Sequence, residues 1–218
     1  MNQIETASSV ASELMAAATA PVARSRTKRA MDVALSAAAL AFLAPLLLLI
    51  AIGIWLEDHD PVLFRQQRTG LHGRTFRIYK FRTMTVAEDG AEVRQATKGD
   101  QRVTRLGAML RTLSLDELPQ LINVLRGDMS LVGPRPHALA HDETWKVLAP
   151  GYASRFRARP GLTGLAQVQG LRGEIRTTED IWRRVEADNH YIDNWSLALE
   201  ISILFRTVPL LFHDPRAY

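Results

Sequence analysis

The chain has 218 residues, 47% of them hydrophobic, enough for one domain with a core. Its formal charge is +4 and 23 of its 27 basic residues are arginine, whose planar fork suits phosphate, so the fitting partners are phosphorylated ligands, nucleic acid or anionic lipid. Without cysteine, disulfides, thiolate zinc sites and cysteine nucleophiles are excluded.

Residues 1–27 are rich in Ala, Ser and Thr and carry little that could pack, which predicts a mobile tail or a fraying helix. Val33 to Leu56 then forms an apolar run of 24 positions without a charge, long enough for a bilayer, which needs about 20 helical residues. Its length argues against a cleaved signal peptide. Arg24, Arg26, Lys28 and Arg29 precede the run, and Arg65, Arg68, Arg74, Arg77, Lys80 and Arg82 follow it, so both ends favour the cytoplasm. Pro45 sits at its middle, where it removes a helical hydrogen bond. Each arm is then roughly 18 Å, short of a core of about 30 Å. A helix-break-helix that enters and leaves one leaflet meets both conditions. A Pro-kinked span and a buried soluble helix are the alternatives.

"PVLFRQQR" and "RTFRIYKFRTM" predict two strands, with "TGLHG" as the turn of a hairpin. Between Pro61 and Ala87 lie six basic residues and no acid, a surface for anionic headgroups or a phosphorylated substrate, or a solvated basic face. A polar loop, "AEDGAEVRQATKGDQR", leads into "VTRLGAMLRTLSLDELPQLINVLRG", which predicts two helices joined near Ser114. "TTEDIWRRVEADNHYIDNW" predicts another, capped by Thr177 or Thr178, with Trp182, Val185, Asn189 and Ile192 at helical spacing. "SLALEISILFRTVPLLF" contains Glu200, Arg206 and Pro209 and predicts an interfacial helix rather than a second span.

Asp116 and Glu117 are the residues most able to carry chemistry. Ser114 with Glu117 three positions on has the form of a capping box. The same pair beside Arg111 and the stiff "GPRP" turn, which presents Arg135, also has the form of a phosphate site. One or two carboxylates with substrate phosphates make a usual magnesium site, and an Asp carboxylate can attack phosphorus to give an acyl phosphate. The six histidines form no ligand-like or triad-like spacing. The glycines of "RPGLTGLAQVQG" allow close approach of a ligand or form a plain turn.

From about Lys28 to Thr207 the sequence resembles the bacterial sugar transferases, or monotopic phosphoglycosyl transferases. The resemblance rests on "KRAMD", the apolar run with its central proline, "PVLFRQQRTG", "YKFRTM", "RLGAMLRTLSLDELPQLINVLRGDMSLVGPRP" and "RPGLTGLAQVQG". It implies transfer of a hexose-1-phosphate from a UDP-sugar to undecaprenyl phosphate, releasing UMP, as the first membrane step of exopolysaccharide or other glycan assembly. It implies Asp116 as the nucleophile of a covalent aspartyl-phosphosugar intermediate and Glu117 as its catalytic partner. It also implies Mg2+ on Asp116 and Glu117, and substrate phosphates on Arg111, Arg135, Lys80 and Arg82.

The fold it implies is α+β and mostly helical. The parts are a re-entrant helix-break-helix over 28–57 with its break at Pro45, and a cytoplasmic catalytic domain over 58–218 with a small β hairpin and interfacial amphipathic helices. The implied place is the cytoplasmic face of a bacterial inner membrane, in contact with its lipids. Ala44 stands where the family often has Ser before the break, Gln169 where Asn is frequent and Glu200 where Asp is common. The segment "IWRRVEADNHYIDNWSL" resembles the hexose-1-phosphate transferases, so UDP-glucose or UDP-galactose is expected, with an N-acetylated or diacetamido sugar as the alternative. A homodimer is left open. A non-enzymatic basic membrane adaptor is the rival of another class. A nucleic-acid partner is not expected, because the apolar run argues against it.

Overall fold

The computed structural model describes residues 20–85, 97, 99–173 and 175–212. A short helix, α1 (Pro21–Arg24), precedes a 33-residue helix, α2 (Arg26–Asp58). Ser25 caps α2 by accepting from the Lys28 backbone N–H, and His59, in the left-handed region at φ 61°, closes it onto the Trp55 carbonyl. Ala20 and Val22 are buried, so packed structure extends ahead of the expected boundary at 27, while residues 1–19 lie outside the described residues. α2 runs through Pro45 without an interruption of the helix. A proline removes one ladder bond, and Ala- and Leu-rich segments on either side propagate the helix past it.

Both ends of α2 pack on the same domain. Near its start Lys28, Asp32 and Ser36 are buried, one helical turn apart each. Near its end Ile50 and Ile54 are buried with Phe81 and Leu110. Between them the outer face is open: Phe42 is 85% exposed, and Leu48 and Leu49 are more than half exposed. Arg29 caps a neighbouring helix, donating to the carbonyls of Val124 at 2.6 Å and Leu125 at 2.9 Å.

β1 (Leu63–Thr69) and β2 (Thr75–Phe81) form the expected antiparallel hairpin, pairing Leu63 with Phe81 and Thr69 with Thr75. Asn123 extends the sheet edge, since its side chain accepts from Tyr79 N at 3.0 Å and donates to the Arg77 carbonyl at 2.7 Å. Most of the expected polar loop lies outside the described residues. Beyond it come α3 (Arg105–Thr112), a 3-10 turn over Leu115–Glu117, and α4 (Gln120–Arg126), the two helices expected around Ser114.

A second, parallel pair joins β3 (Ser130–Val132) to β4 (Gly161–Thr163). Here the glycines approach backbone rather than a ligand: a Cβ on Gly133 would lie 2.3 Å from the Arg159 carbonyl oxygen, and one on Gly161 would lie 2.1 Å from Gly133 N. This contact sets the start of the Pro134–Pro136 turn. Between the strands lie α5 (Leu139–Leu148) and a 3-10 segment over Tyr152–Arg157. α6 (Leu165–Val168), α7 (Thr178–Asp193) and α8 (Leu197–Phe212) follow. α7 opens on a full capping box of Thr177 and Asp180. Val185 and Ile192 face its core, but Trp182 is half exposed and donates to the Leu148 carbonyl at 2.9 Å.

α8 buries Glu200 and Ile203 while Leu197, Ile201, Phe205 and Val208 form an exposed apolar stripe at helical spacing. Lys28 ties the start of α2 to it. Its ammonium pairs with Glu200 Oε1 and donates to the Val132 carbonyl at 3.1 Å. Glu200 Oε2 accepts from Tyr191 at 2.7 Å and Trp195 at 2.9 Å. Asp32 accepts from Ser130 at 2.7 Å and from Leu131 N at 3.0 Å, so the "KRAMD" motif clamps α2 to β3 and α8. The architecture is mixed helix and small sheet with one long apolar helix.

Candidate active site

The 3-10 turn carrying Asp116 and Glu117 starts from Ser114, which sits in the left-handed region at φ 56°. A non-glycine residue there is strained, and such strain collects at functional sites. Arg172 holds it, donating to Ser114 Oγ at 2.8 Å. Ser114 makes no side-chain cap, and Pro119 is the N-cap of α4, so the capping-box reading of Ser114 and Glu117 is corrected. The Glu117 carboxylate turns instead to two cations brought from distant elements.

Lys80, from β2, donates to Glu117 Oε1 at 2.8 Å. Arg135, from the turn after β3, donates to Oε1 at 2.6 Å and to Oε2 at 3.2 Å, a bidentate fork. Burial works to raise the Glu117 pKa, but Arg135 and Lys80 outweigh it and hold the carboxyl well below its ordinary range. Burial pushes the Lys80 ammonium down, with Glu117 opposing.

Asp116 differs. It is equally buried, at 8% exposure, yet no donor among the described residues reaches its carboxylate. Burial raises its pKa; Lys80, Arg111 and Arg135 draw it down, and the neighbouring Glu117 charge pushes it further up. The net direction is upward, which makes it a better nucleophile when ionised than a solvated carboxylate. Arg111 brings its guanidinium to the same site, with Nη2 on Met84 Sδ at 3.7 Å, while its Nη1 is buried without a partner among the described residues. A buried unmatched guanidinium N–H beside a carboxylate is a feature of a site that receives an anion.

Arg82 lies elsewhere. Its guanidinium pairs with both oxygens of Asp58 and donates from Nε to the Pro61 carbonyl at 2.8 Å, joining the end of α2 to β2. The site therefore gathers Asp116, Glu117, Lys80, Arg111 and Arg135. Arg155 supports it from behind: Nη2 donates to the Arg135 carbonyl at 2.7 Å and Nε to buried Asp188 at 2.8 Å. Nothing in the local sequence marks Arg155 or Asp188, whose partner is 33 positions away.

Among the described residues no group of three or more His, Asp or Glu could hold a metal ion. Magnesium needs less, one or two carboxylates with the remaining ligands from substrate phosphates and water. The donor-free Asp116 carboxylate fits that requirement, while Glu117 is already engaged by two cations.

Replacing Glu117 by Gln removes the like charge that raises Asp116 and frees Lys80 and Arg135 to act on it. The Asp116 pKa then falls, so the acidic limb of a pH profile of turnover moves to lower pH while the maximal rate drops. A pH series on both proteins checks this, and an acidic limb that stays in place would contradict the coupling.

α2 is long and apolar enough to cross a membrane, and most of its apolar stretch is exposed, which associates the chain with a membrane. The family model described as bacterial sugar transferase matches residues 23–214. The chain is 57% identical over 191 residues to a UDP-glucose:undecaprenyl-phosphate glucose-1-phosphate transferase of Caulobacter vibrioides, covering 88% of this chain and 72% of that protein. It is 48% identical over 191 residues to a protein of the same name from Escherichia coli, covering 88% of this chain but 41% of the relative. A UDP-N-acetylgalactosamine-undecaprenyl-phosphate N-acetylgalactosaminephosphotransferase of Aeromonas hydrophila is 42% identical over 181 residues, covering 83% and 42%. With its apolar helix, its paired acids and its cationic clamp accounted for, the chain belongs to the bacterial sugar transferase family.

Proposed function

We propose that this protein transfers glucose-1-phosphate from UDP-glucose to undecaprenyl phosphate at the cytoplasmic face of a bacterial inner membrane. The observation that carries the reading is the contrast between the two acids: Glu117 is clamped by Lys80 and Arg135, whereas Asp116 meets no donor among the described residues and can attack. The Asp116 carboxylate attacks the phosphorus bonded to the sugar. A P–O bond forms, the anhydride bond to the nucleotide phosphate breaks, and UMP leaves with the electron pair. A phosphate oxygen of the lipid then attacks the same phosphorus, which releases the Asp116 carboxylate and forms the lipid diphosphate sugar.

Arg111, Arg135 and Lys80 supply the positive charge that the transferring phosphoryl group needs. Glu117 holds Lys80 and Arg135 in place. Magnesium, when bound, would lie on Asp116 with Glu117 beside it and would neutralise phosphate charge. Arg82 serves to fix α2 to β2.

The membrane reading rests on the two ends of α2. A helix of 33 residues is about 50 Å long, and both its Lys28 end and its Ile54 end pack on one domain. That leaves no end free for the far side. The apolar outer faces of α2 and α8 would sit in the near leaflet, the disposition of a monotopic protein whose α2 lies there as one helix rather than as the helix-break-helix expected at Pro45. Single cysteines at the exposed positions 27 and 60 should both label from the cytoplasm. Labelling of either from the opposite side would contradict it.

The Aeromonas relative supports a second reading, the same transfer with an N-acetylated sugar. The purified protein in lipid, given undecaprenyl phosphate and labelled UDP-glucose, UDP-galactose or UDP-N-acetylgalactosamine, separates the two. Label should move into lipid from UDP-glucose, and transfer from the N-acetylated donor alone would establish the second reading.

A further inference from the structure

The glycine-rich segment "RPGLTGLAQVQG" has no task in the steps above, although the chain that leaves it reaches the turn carrying the two acids. Within it, β4 pairs with β3, whose end leads into the Pro134–Pro136 turn and Arg135. A Cβ on Gly164 would lie 2.3 Å from the Gly133 carbonyl oxygen, so α6 starts directly against that turn. Gly170, at φ 78°, closes α6. Its N–H donates to the Gln167 carbonyl at 3.0 Å and that of Leu171 to the Ala166 carbonyl at 2.9 Å, a Schellman motif. Beyond it, Arg184 of α7 donates to the Gly173 carbonyl at 2.9 Å. Arg172 is therefore presented between two fixed points, and its Nη2 donates to Ser114 Oγ at 2.8 Å.

Ser114 is the joint of the site. Its N–H donates to the Arg111 carbonyl at 3.0 Å and its carbonyl accepts from Glu117 N at 3.3 Å, so its backbone angles set where Arg111 stands relative to Asp116 and Glu117. Those angles lie in the left-handed region, which a residue with a Cβ keeps only when its surroundings hold it there. The hydrogen bond from Arg172 holds the buried Ser114 side chain across 58 residues of sequence. The Arg172 charge also helps to draw the Glu117 carboxyl down.

We propose that Arg172 is a positioning residue: it locks Ser114 in the left-handed conformation and so registers the Asp116–Glu117 turn against the Arg135 turn, to which the glycine-rich segment is also fixed. The inference rests on the reading of Asp116 as the nucleophile of a sugar-phosphate transfer. Arg172 acts through Ser114 and not on a substrate, so its loss lowers kcat and leaves KM in place. The full chain in lipid nanodiscs, given UDP-glucose and undecaprenyl phosphate, yields kcat and the KM for each substrate. Arg172→Met removes both the hydrogen bond and the charge. Ser114→Ala removes the acceptor but keeps the Arg172 charge near Glu117. Ser114→Gly also removes the acceptor, but glycine takes positive φ readily and needs no tie.

Arg172→Met and Ser114→Ala each lower kcat about 10-fold with both KM values unchanged, the scale of one lost hydrogen bond from a charged donor. The double variant of these two falls no further than either alone, as two ends of one interaction require. Adding Ser114→Gly to Arg172→Met regains most of the loss. A raised KM for either substrate in Arg172→Met would overturn the proposal, because Arg172 would then bind that substrate. So would full kcat in Ser114→Ala, which would leave only the charge, or additive losses in the double variant, or no recovery with Ser114→Gly. Wild-type protein that transfers sugar from none of the UDP-sugars would instead defeat the transferase reading itself, and the proposal with it.

Discussion

Asp116→Asn should lower turnover by at least about 10³-fold, the scale on which loss of a covalent nucleophile acts, and should leave the fold intact. Asn has the shape of the carboxylate but cannot form an acyl phosphate. Its neighbours keep their hydrogen bonds, because Lys80 and Arg135 are tied to Glu117 and no donor among the described residues contacts Asp116. Burial outweighs the pull of Lys80, Arg111 and Arg135 on the Asp116 charge, so removing that charge should hold or raise thermal stability, the usual relation between a reactive group and its scaffold. UMP release and a thermal melt on the same preparation test both halves. Full turnover in the variant would defeat the nucleophile assignment, and a large fall in melting temperature would restore a structural role for Asp116.

The second large effect concerns Lys28. Its side chain is 5% exposed and its partner Glu200 is fully buried, so Lys28→Met leaves a carboxylate in the interior with only Tyr191 and Trp195 as donors. Breaking a buried pair by removing one partner costs about 3–5 kcal/mol, which corresponds to a fall of roughly 10 °C in a chain of this size. The loss should appear as release of the α2 start from β3 and α8, detected by protease sensitivity near residue 25. The double variant Lys28→Met with Glu200→Leu removes both charges and should regain most of the stability. A melting temperature unchanged by Lys28→Met would show that the clamp does not hold α2.

Local chemistry was legible wherever the determining residues lie close in the chain. The β1–β2 hairpin follows from alternating strands around "TGLHG", and α7 follows from the Thr177 cap three residues before Asp180. The acids were legible as a pair. Their division of labour was not, because Glu117 is set by Lys80 at a separation of 37 residues and by Arg135 at 18. That long-range clamp also overrides the capping box that Ser114 and Glu117 spell out locally.

The same physics hid the rest. β3 and β4 are three residues each, too short to show a period, and they pair across a separation near 30. Lys28 meets Glu200 across 172 residues, so "KRAMD" could be matched to a family without disclosing its contact. Ala20 and Val22 lie in a stretch of tail-like composition and are ordered only because Val132, Tyr191 and Ile203 form a surface for them. The resemblance implies substrate phosphates on both Lys80 and Arg82, two residues apart in the sequence. Two residues apart in a strand share a face, but Lys80 reaches Glu117 and Arg82 reaches Asp58, since the strand ends at Phe81.

The central claim is that Asp116 takes the phosphosugar before the lipid arrives. Purified protein in lipid, supplied with magnesium and UDP-glucose but no polyprenyl phosphate, should release a stoichiometric burst of UMP, and mass spectrometry should find a hexose-phosphate adduct on the Asp116 peptide. If UMP appears only once undecaprenyl phosphate is added, and no adduct forms on Asp116, the covalent route is wrong and the transfer takes place in a single step.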